Sequence, residues 1–183
     1  MASLDDVLIF WFEECSEKDW FRKSDRLDAE ITQRFSALHA QIVAQPEPGQ
    51  AAANETPESL LAKVILLDQL SRNMFRDTAQ AFAHDGQALQ LAQWAVDKKW
   101  DEALTPVQRR FLFMPYMHSE SPQVHEKAVA LFTQLGDKAS LDFEYKHKAI
   151  VDRFGRYPHR NKILGRKSTG EERAFLTQPG SSF

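Results

Sequence analysis

Residues 56–76 read TPESLLAKVILLDQLSRNMFR, and this stretch decides the fold class. Thr56 is a capping residue, Pro57 suits the first helical position, and Glu58 places an acid where helix dipoles favour one. A helix is therefore expected over about 57 to 76. On a wheel of about 100° per residue, Leu60, Leu61, Val64, Ile65, Leu66 and Leu67 surround its first half, which predicts burial on most sides. The second half differs: Asp68, Gln69, Arg72, Asn73 and Arg76 share an arc of about 140°, with Leu70 and Met74 opposite. Such an arc lines a cavity, pairs with other buried polar groups, or emerges into solvent. Asp68 and Arg72, spaced i,i+4, also suit each other as an ion pair. Buried guanidinium groups need anionic or carbonyl partners, so Asp68, Arg72, Asn73 and Arg76 are candidate ligand-binding residues.

The same punctuation recurs on both sides of this stretch. Ser3 is placed to cap a helix bearing Val7, Phe10 and Trp11. Ser24 or Asp25 is placed to cap another, with Leu27, Ile31, Phe35, Leu38 and Ile42 along one face. Thr105-Pro106-Val107-Gln108 and Ser121-Pro122 repeat the start signal. Helices are predicted at about 79 to 99, 106 to 117, 122 to 135 and 138 to 154, with Gly136 and Gly155 as stops and Pro115 kinking or ending its helix. Ser168-Thr169-Gly170-Glu171 reads as the capping box of a short last helix. No strand alternation and no fixed-period repeat is present. The expected fold is all-α: a single domain, 1–183, of antiparallel helical hairpins, with a mobile loop at 45–55 and a flexible tail at 177–183.

Composition agrees with a folded chain. Hydrophobic residues make up 43% of 183, including 13 Phe and 4 Trp, enough to bury a sizeable core. The run Val7–Phe12 follows two acids and is too short for an export signal or a membrane span. A lone Cys15 fits a reducing compartment, so the cytoplasm is the expected location.

Charge is unevenly spread. Lys146 to Lys167 holds eight basic residues and one acid, Asp152, so a net +7 segment sits in a chain of net −3. A local positive field on an acidic body suits a small anion better than a long polyanion, which disfavours nucleic acid. Pairing of the basic stretch with acidic helices accounts for it equally well.

Within that segment Arg153-Phe154-Gly155-Arg156-Tyr157-Pro158-His159-Arg160-Asn161 presents three arginines and a histidine on a turn stiffened by Pro158. Guanidinium forks suit carboxylate or phosphate, and histidine carries protons near neutral pH. Arg153, Arg156, Arg160 and Asn161 are candidate ligand-binding residues, and His159 is a candidate catalytic one. The alternative is a structural turn whose arginines cap carbonyls or hold acidic helices. His118 and Glu120 put a base and an acid on one turn and join the catalytic candidates. His147 shares a helix face with Phe143, Ile150 and Phe154, as a ligand contact or as a hydrogen-bonded core residue. No metal-ligand spacing, glycine-rich phosphate loop or nucleophile elbow occurs, so neither a metal nor a cofactor is expected.

Four runs, Val7–Phe12, Ile65–Arg76, Met114–Glu120 and Arg153–Asn161, resemble the bacterial family known as domain of unknown function 924. The likeness spans about Asp5 to Leu176 with the runs in the family's order. It implies a tetratricopeptide-like irregular helical array and no particular reaction. Leu70-Ser71 departs from the Phe-Pro that the resemblance leads one to expect there, which removes a proline from the helix.

The leading functional expectation is a polar pocket, formed where the Arg72 and Arg156 segments meet, for a small anionic molecule. If it is catalytic, histidine and carboxylate move the protons. A scaffold that holds a peptide or acidic protein partner is the alternative. RNA binding through Arg153–Tyr157 ranks below both.

Overall fold

The computed structural model describes residues 2–45 and 55–182, and every regular element among them is helical. Of the loop expected at 45–55, residues 46–54 lie outside the described residues. The chain forms two compact units, one of residues 1–76 and 80–115 and one of residues 77–79 and 116–183.

In the first unit, α1 (Leu4–Ile9) starts at a capping box in which Ser3 and Asp6 bond each other's backbone N–H. It continues as a π turn over Phe10–Glu14. A helix not foreseen from the sequence, α2 (Glu17–Phe21), follows Ser16. α3 (Asp25–Val43) is capped by Ser24 and buries Leu27, Ile31, Phe35, Leu38 and Ile42, the predicted face.

α4 (Pro57–Ile65) begins as predicted at Thr56, with Ser59 closing the capping box. Leu60, Leu61, Val64, Ile65, Leu66 and Leu67 are each at most 1% exposed. The helix does not run uniformly to residue 76. It widens into a π turn over Leu66–Leu70 and resumes as α5 (Ser71–Met74). A π turn adds a residue to the helical repeat, so the uniform wheel loses phase at Leu66. That shift is why Asp68 and Ser71 are fully buried while Arg72 and Arg76 are only partly so. The predicted helix at 79–99 is likewise broken, into a 3-10 turn at Ala79–Phe82 and α6 (Asp85–Asp97).

Aromatic rings dominate the middle of this unit. The Phe111 ring lies 5.6 Å from Trp11, 4.9 Å from Trp20 and 5.6 Å from Phe12, all nearly edge-on. Burial pushes the Cys15 thiol up to about 11, which keeps it protonated near neutral pH.

α7 (Pro106–Met117) runs two residues past Pro115 rather than ending there. Near a helix C-terminus, a proline's missing N–H forfeits a single intrahelical bond. In the second unit α8 (Pro122–Leu135) and α9 (Lys138–Phe154) pair as a hairpin about Gly136 and Asp137. Gly155, at φ +68°, ends α9 in the left-handed region, where a side chain is disfavoured. A 3-10 turn follows at Pro158–Arg160. α10 (Gly170–Leu176) is capped by Thr169 with Glu172, one residue later than the predicted Ser168 and Glu171 box. Beyond it Ser181 Oγ donates to the Leu176 carbonyl at 3.3 Å, so residues 177–181 close a turn.

Candidate functional site

The polar arc of the first unit meets acidic partners. Asp28 of α3 accepts Arg76 Nε at 2.6 Å and Nη2 at 2.8 Å, and Asn73 Nδ2 at 2.8 Å. Burial opposes the charge on Asp28, but the hydrogen bonds from Arg76 and Asn73 outweigh it and hold the carboxyl below its usual range. Arg72 donates to the Asp68 carbonyl and to Asp85 Oδ2 at 3.1 Å. It also pairs with Asp68 Oδ1 at 3.2 Å, the i,i+4 contact read from the sequence. Asp28→Asn should cost about 2 kcal/mol, reduced from the fully buried case by partial exposure. Denaturant unfolding of the variant checks this.

An open cleft of about 480 Å³ lies elsewhere in this unit, lined in part by Phe12, Cys15, Trp20 and Val107. It is lined by none of the candidate ligand-binding or catalytic residues.

The second unit carries the denser chemistry, centred on the fully buried Tyr157. Its hydroxyl donates to the Met117 carbonyl at 2.5 Å. Arg160 Nη2 donates to the His118 carbonyl at 3.1 Å. His125 Nε2 donates to the Ser119 carbonyl at 2.8 Å. Three successive carbonyls around His118 are thus held by three side chains from α8 and the post-α9 turn.

Glu120 completes the anchorage. It accepts the Tyr157 backbone N–H at 2.8 Å and both terminal nitrogens of Arg166, at 2.6 and 2.9 Å. Burial disfavours its charge, yet the bonds from Arg166 and Tyr157 prevail and hold the carboxyl below its ordinary range. Its oxygens are engaged by fixed donors, an arrangement suited to a structural anchor.

Four imidazoles surround this centre. His125, His147 and His159 have ring centroids 6.3, 5.7 and 5.6 Å from that of Tyr157, and His118 lies 6.4 Å from His147. The Arg160 guanidinium stacks over the Tyr157 ring at 4.7 Å. His125, His147 and Arg160 are buried, whereas His118 and His159 are half-buried. His147 Nδ1 donates to the Phe143 carbonyl at 2.8 Å. Burial pushes the His147 imidazole down to about 3, which keeps it neutral with its lone pair on Nε2.

That shift gives an acid dependence of known sign. An unfolded chain protonates His147 below its ordinary value of about 6.5, and the folded one does not until about 3. Its contribution to stability is therefore whole above pH 6.5 and declines as pH falls toward 3. The slope is at most about 1.4 kcal/mol per pH unit. His39 of the first unit, pushed down to about 4 by burial and then by His84, adds in the same direction. Unfolding free energies at pH 7, 6 and 5 should fall progressively, and less steeply in His147→Leu.

The remaining predicted residues tie the end of α9 and the turn after it to α10 and the segment leading into it. Arg156 grips Glu172 through Nε at 2.6 Å and Nη2 at 2.9 Å and caps the Lys167 carbonyl at 3.0 Å. Arg156 is the main reason that the Glu172 carboxyl falls to about 2. Arg153 bonds Glu171 at 2.9 and 2.7 Å, and Asn161 reaches Ser168 at 3.1 Å and Glu172 at 3.3 Å. These contacts match the alternative of a turn whose arginines hold an acidic helix.

Sequence reasoning missed two members of the centre, His125 and Glu144. His125 Nδ1 is 2.6 Å from Glu144 Oε1, and both side chains are fully buried. The available signal was their position. His125 shares the apolar face of Ala128 and Phe132, and Glu144 shares that of His147 and Val151. Polar residues on a buried face need each other.

No curated protein matches the chain. A solved structure of a protein of unknown function from Agrobacterium tumefaciens is 35% identical, with 94% of this chain and 96% of that one covered and a TM-score of 0.86. The profile of a family described as bacterial protein of unknown function, DUF924, matches residues 7–180. With nearly its whole length matched, the chain belongs to the bacterial DUF924 family.

Proposed function

We propose that the histidine centre of the second unit binds a small anion, a carboxylate or phosphate, and exchanges a proton with it. The observation that carries this reading is the gathering of three imidazoles and one guanidinium around the Tyr157 ring, with a fourth imidazole, His118, beside His147. Arg160 supplies the positive charge. His118 and His159, the two half-buried rings, face the ligand and carry the proton. The neutral His147 accepts a hydrogen bond from a protonated ligand group. Glu120 anchors the backbone instead of moving a proton, because Arg166 and Tyr157 already occupy its oxygens.

Calorimetric titration with inorganic phosphate, sulfate and citrate tests the reading. Binding of at least one anion is expected, and Arg160→Gln should weaken it about tenfold or more, the loss of about 1.4 kcal/mol. Absence of binding for all three, or undiminished binding by a folded Arg160→Gln variant, would reject it.

A further inference from the structure

The proton inventory of the His125–Glu144 pair follows from its neighbours. The Ser119 carbonyl can only accept, so His125 Nε2, 2.8 Å away, must carry a hydrogen. Tyr157 Oη, 3.1 Å from the same nitrogen, spends its own hydrogen on the Met117 carbonyl and so stands as a second acceptor. One further proton then lies between His125 Nδ1 and Glu144 Oε1, which are 2.6 Å apart. It belongs either to an imidazolium facing a carboxylate or to a neutral imidazole facing a carboxylic acid. The total proton count is the same in both.

The surroundings of Glu144 decide between them. Its side chain is fully buried, and Oε2 has no hydrogen-bond partner among the described residues. A buried carboxylate with one bare oxygen is far more costly than a buried carboxylic acid whose hydroxyl is used and whose carbonyl oxygen is bare. Burial also raises the Glu144 carboxyl above its ordinary range.

We infer that Glu144 is a neutral acid that donates to His125 Nδ1, so that Glu144, His125 and Tyr157 form a relay that positions His118. The relay runs from the Glu144 hydroxyl to Nδ1, and from Nε2–H to the Ser119 carbonyl. The Tyr157 hydroxyl takes the Met117 carbonyl on the other side. It holds the backbone on both flanks of the histidine that the proposed function uses for proton exchange. Glu144, His125 and Tyr157 are positioning residues, not catalytic ones. Assigning His118 as their beneficiary rests on that function, whereas the protonation state of Glu144 does not.

Glutamine separates the two protonation states. The amide of Glu144→Gln donates to Nδ1 as the neutral acid does, but cannot replace a carboxylate opposite an imidazolium. Nitrogen-15 spectra of the ligand-free protein should show His125 as the neutral Nε2–H tautomer, in wild type and in Glu144→Gln alike. The His118 ring resonances should be unchanged by that substitution, and the melting temperature should stay within about 2 °C of wild type. Glu144→Leu, which removes the donor, should lose about 10 °C and shift or broaden the His118 resonances. An imidazolium spectrum for His125 in wild type overturns the inference even if no variant folds. So does a Glu144→Gln variant as unstable as Glu144→Leu. No readout involves a ligand, so failure to bind anions leaves the relay standing, and an imidazolium at His125 leaves anion binding standing.

Discussion

Glu120→Ala is expected to lower the unfolding free energy by about 3 kcal/mol. The substitution removes the acceptor of the Tyr157 N–H and of two Arg166 nitrogens at once. Arg166 keeps its bonds to the Tyr157 carbonyl at 3.1 Å and to Asn161 Oδ1 at 2.9 Å, so it stays partly buried with its charge unmatched. Glu120→Gln retains the shape and one good acceptor and should lose roughly half as much. Chemical denaturation of the two variants measures the difference. A Glu120→Ala protein as stable as wild type would mean that this carboxylate is not the anchor of the post-α9 turn, and would return it to the candidates for proton transfer.

Phe111→Ala should be larger still, at about 4 kcal/mol. The ring is completely buried and meets Trp11, Phe12 and Trp20 edge-on. Its removal leaves three large rings around one void, and edge-to-face contacts are lost in addition to buried area. Trp20 Nε1 donates to the Trp11 carbonyl at 2.8 Å, which limits how far the Trp20 ring can collapse inward. The expected signature is a loss of stability in unfolding monitored by tryptophan fluorescence, with Phe111→Leu recovering more than half of it.

The all-helical fold was legible because its signals are local. Ser3, Ser24 and Thr56 each accept a backbone N–H at a helix start, and Gly136 and Gly155 take the left-handed conformation that stops α8 and α9. The π turns at Phe10–Glu14 and Leu66–Leu70 were not legible. A widened turn has no residue signature of its own, and each begins at the end of an apolar run, where the wheel does not show a change of phase. In the second, Ser71 Oγ donates to the Leu66 carbonyl five residues back and lies 2.8 Å from His39 Nε2. The His39 contact depends on α3, which periodicity in α4 cannot reveal.

The candidate site was half legible. The runs around His118 and Arg153–Asn161 stood out by composition, and Tyr157, His159 and Arg160 do gather with His118 and His147. Which arginines act structurally was hidden, since Arg153 and Arg156 find partners on α10, an element beyond the basic run. His125 and Glu144 are nineteen residues apart on different helices. Only the pairing of α8 with α9 makes them neighbours.

An anion-binding histidine centre in the second unit is tested most directly by titrating the histidine ring resonances with inorganic phosphate at constant ionic strength. Saturable shifts of His118 and His159, with His39 and His84 of the first unit unmoved, are the predicted result. Shifts spread over all six histidines without saturation, or none at His118 and His159, would contradict it.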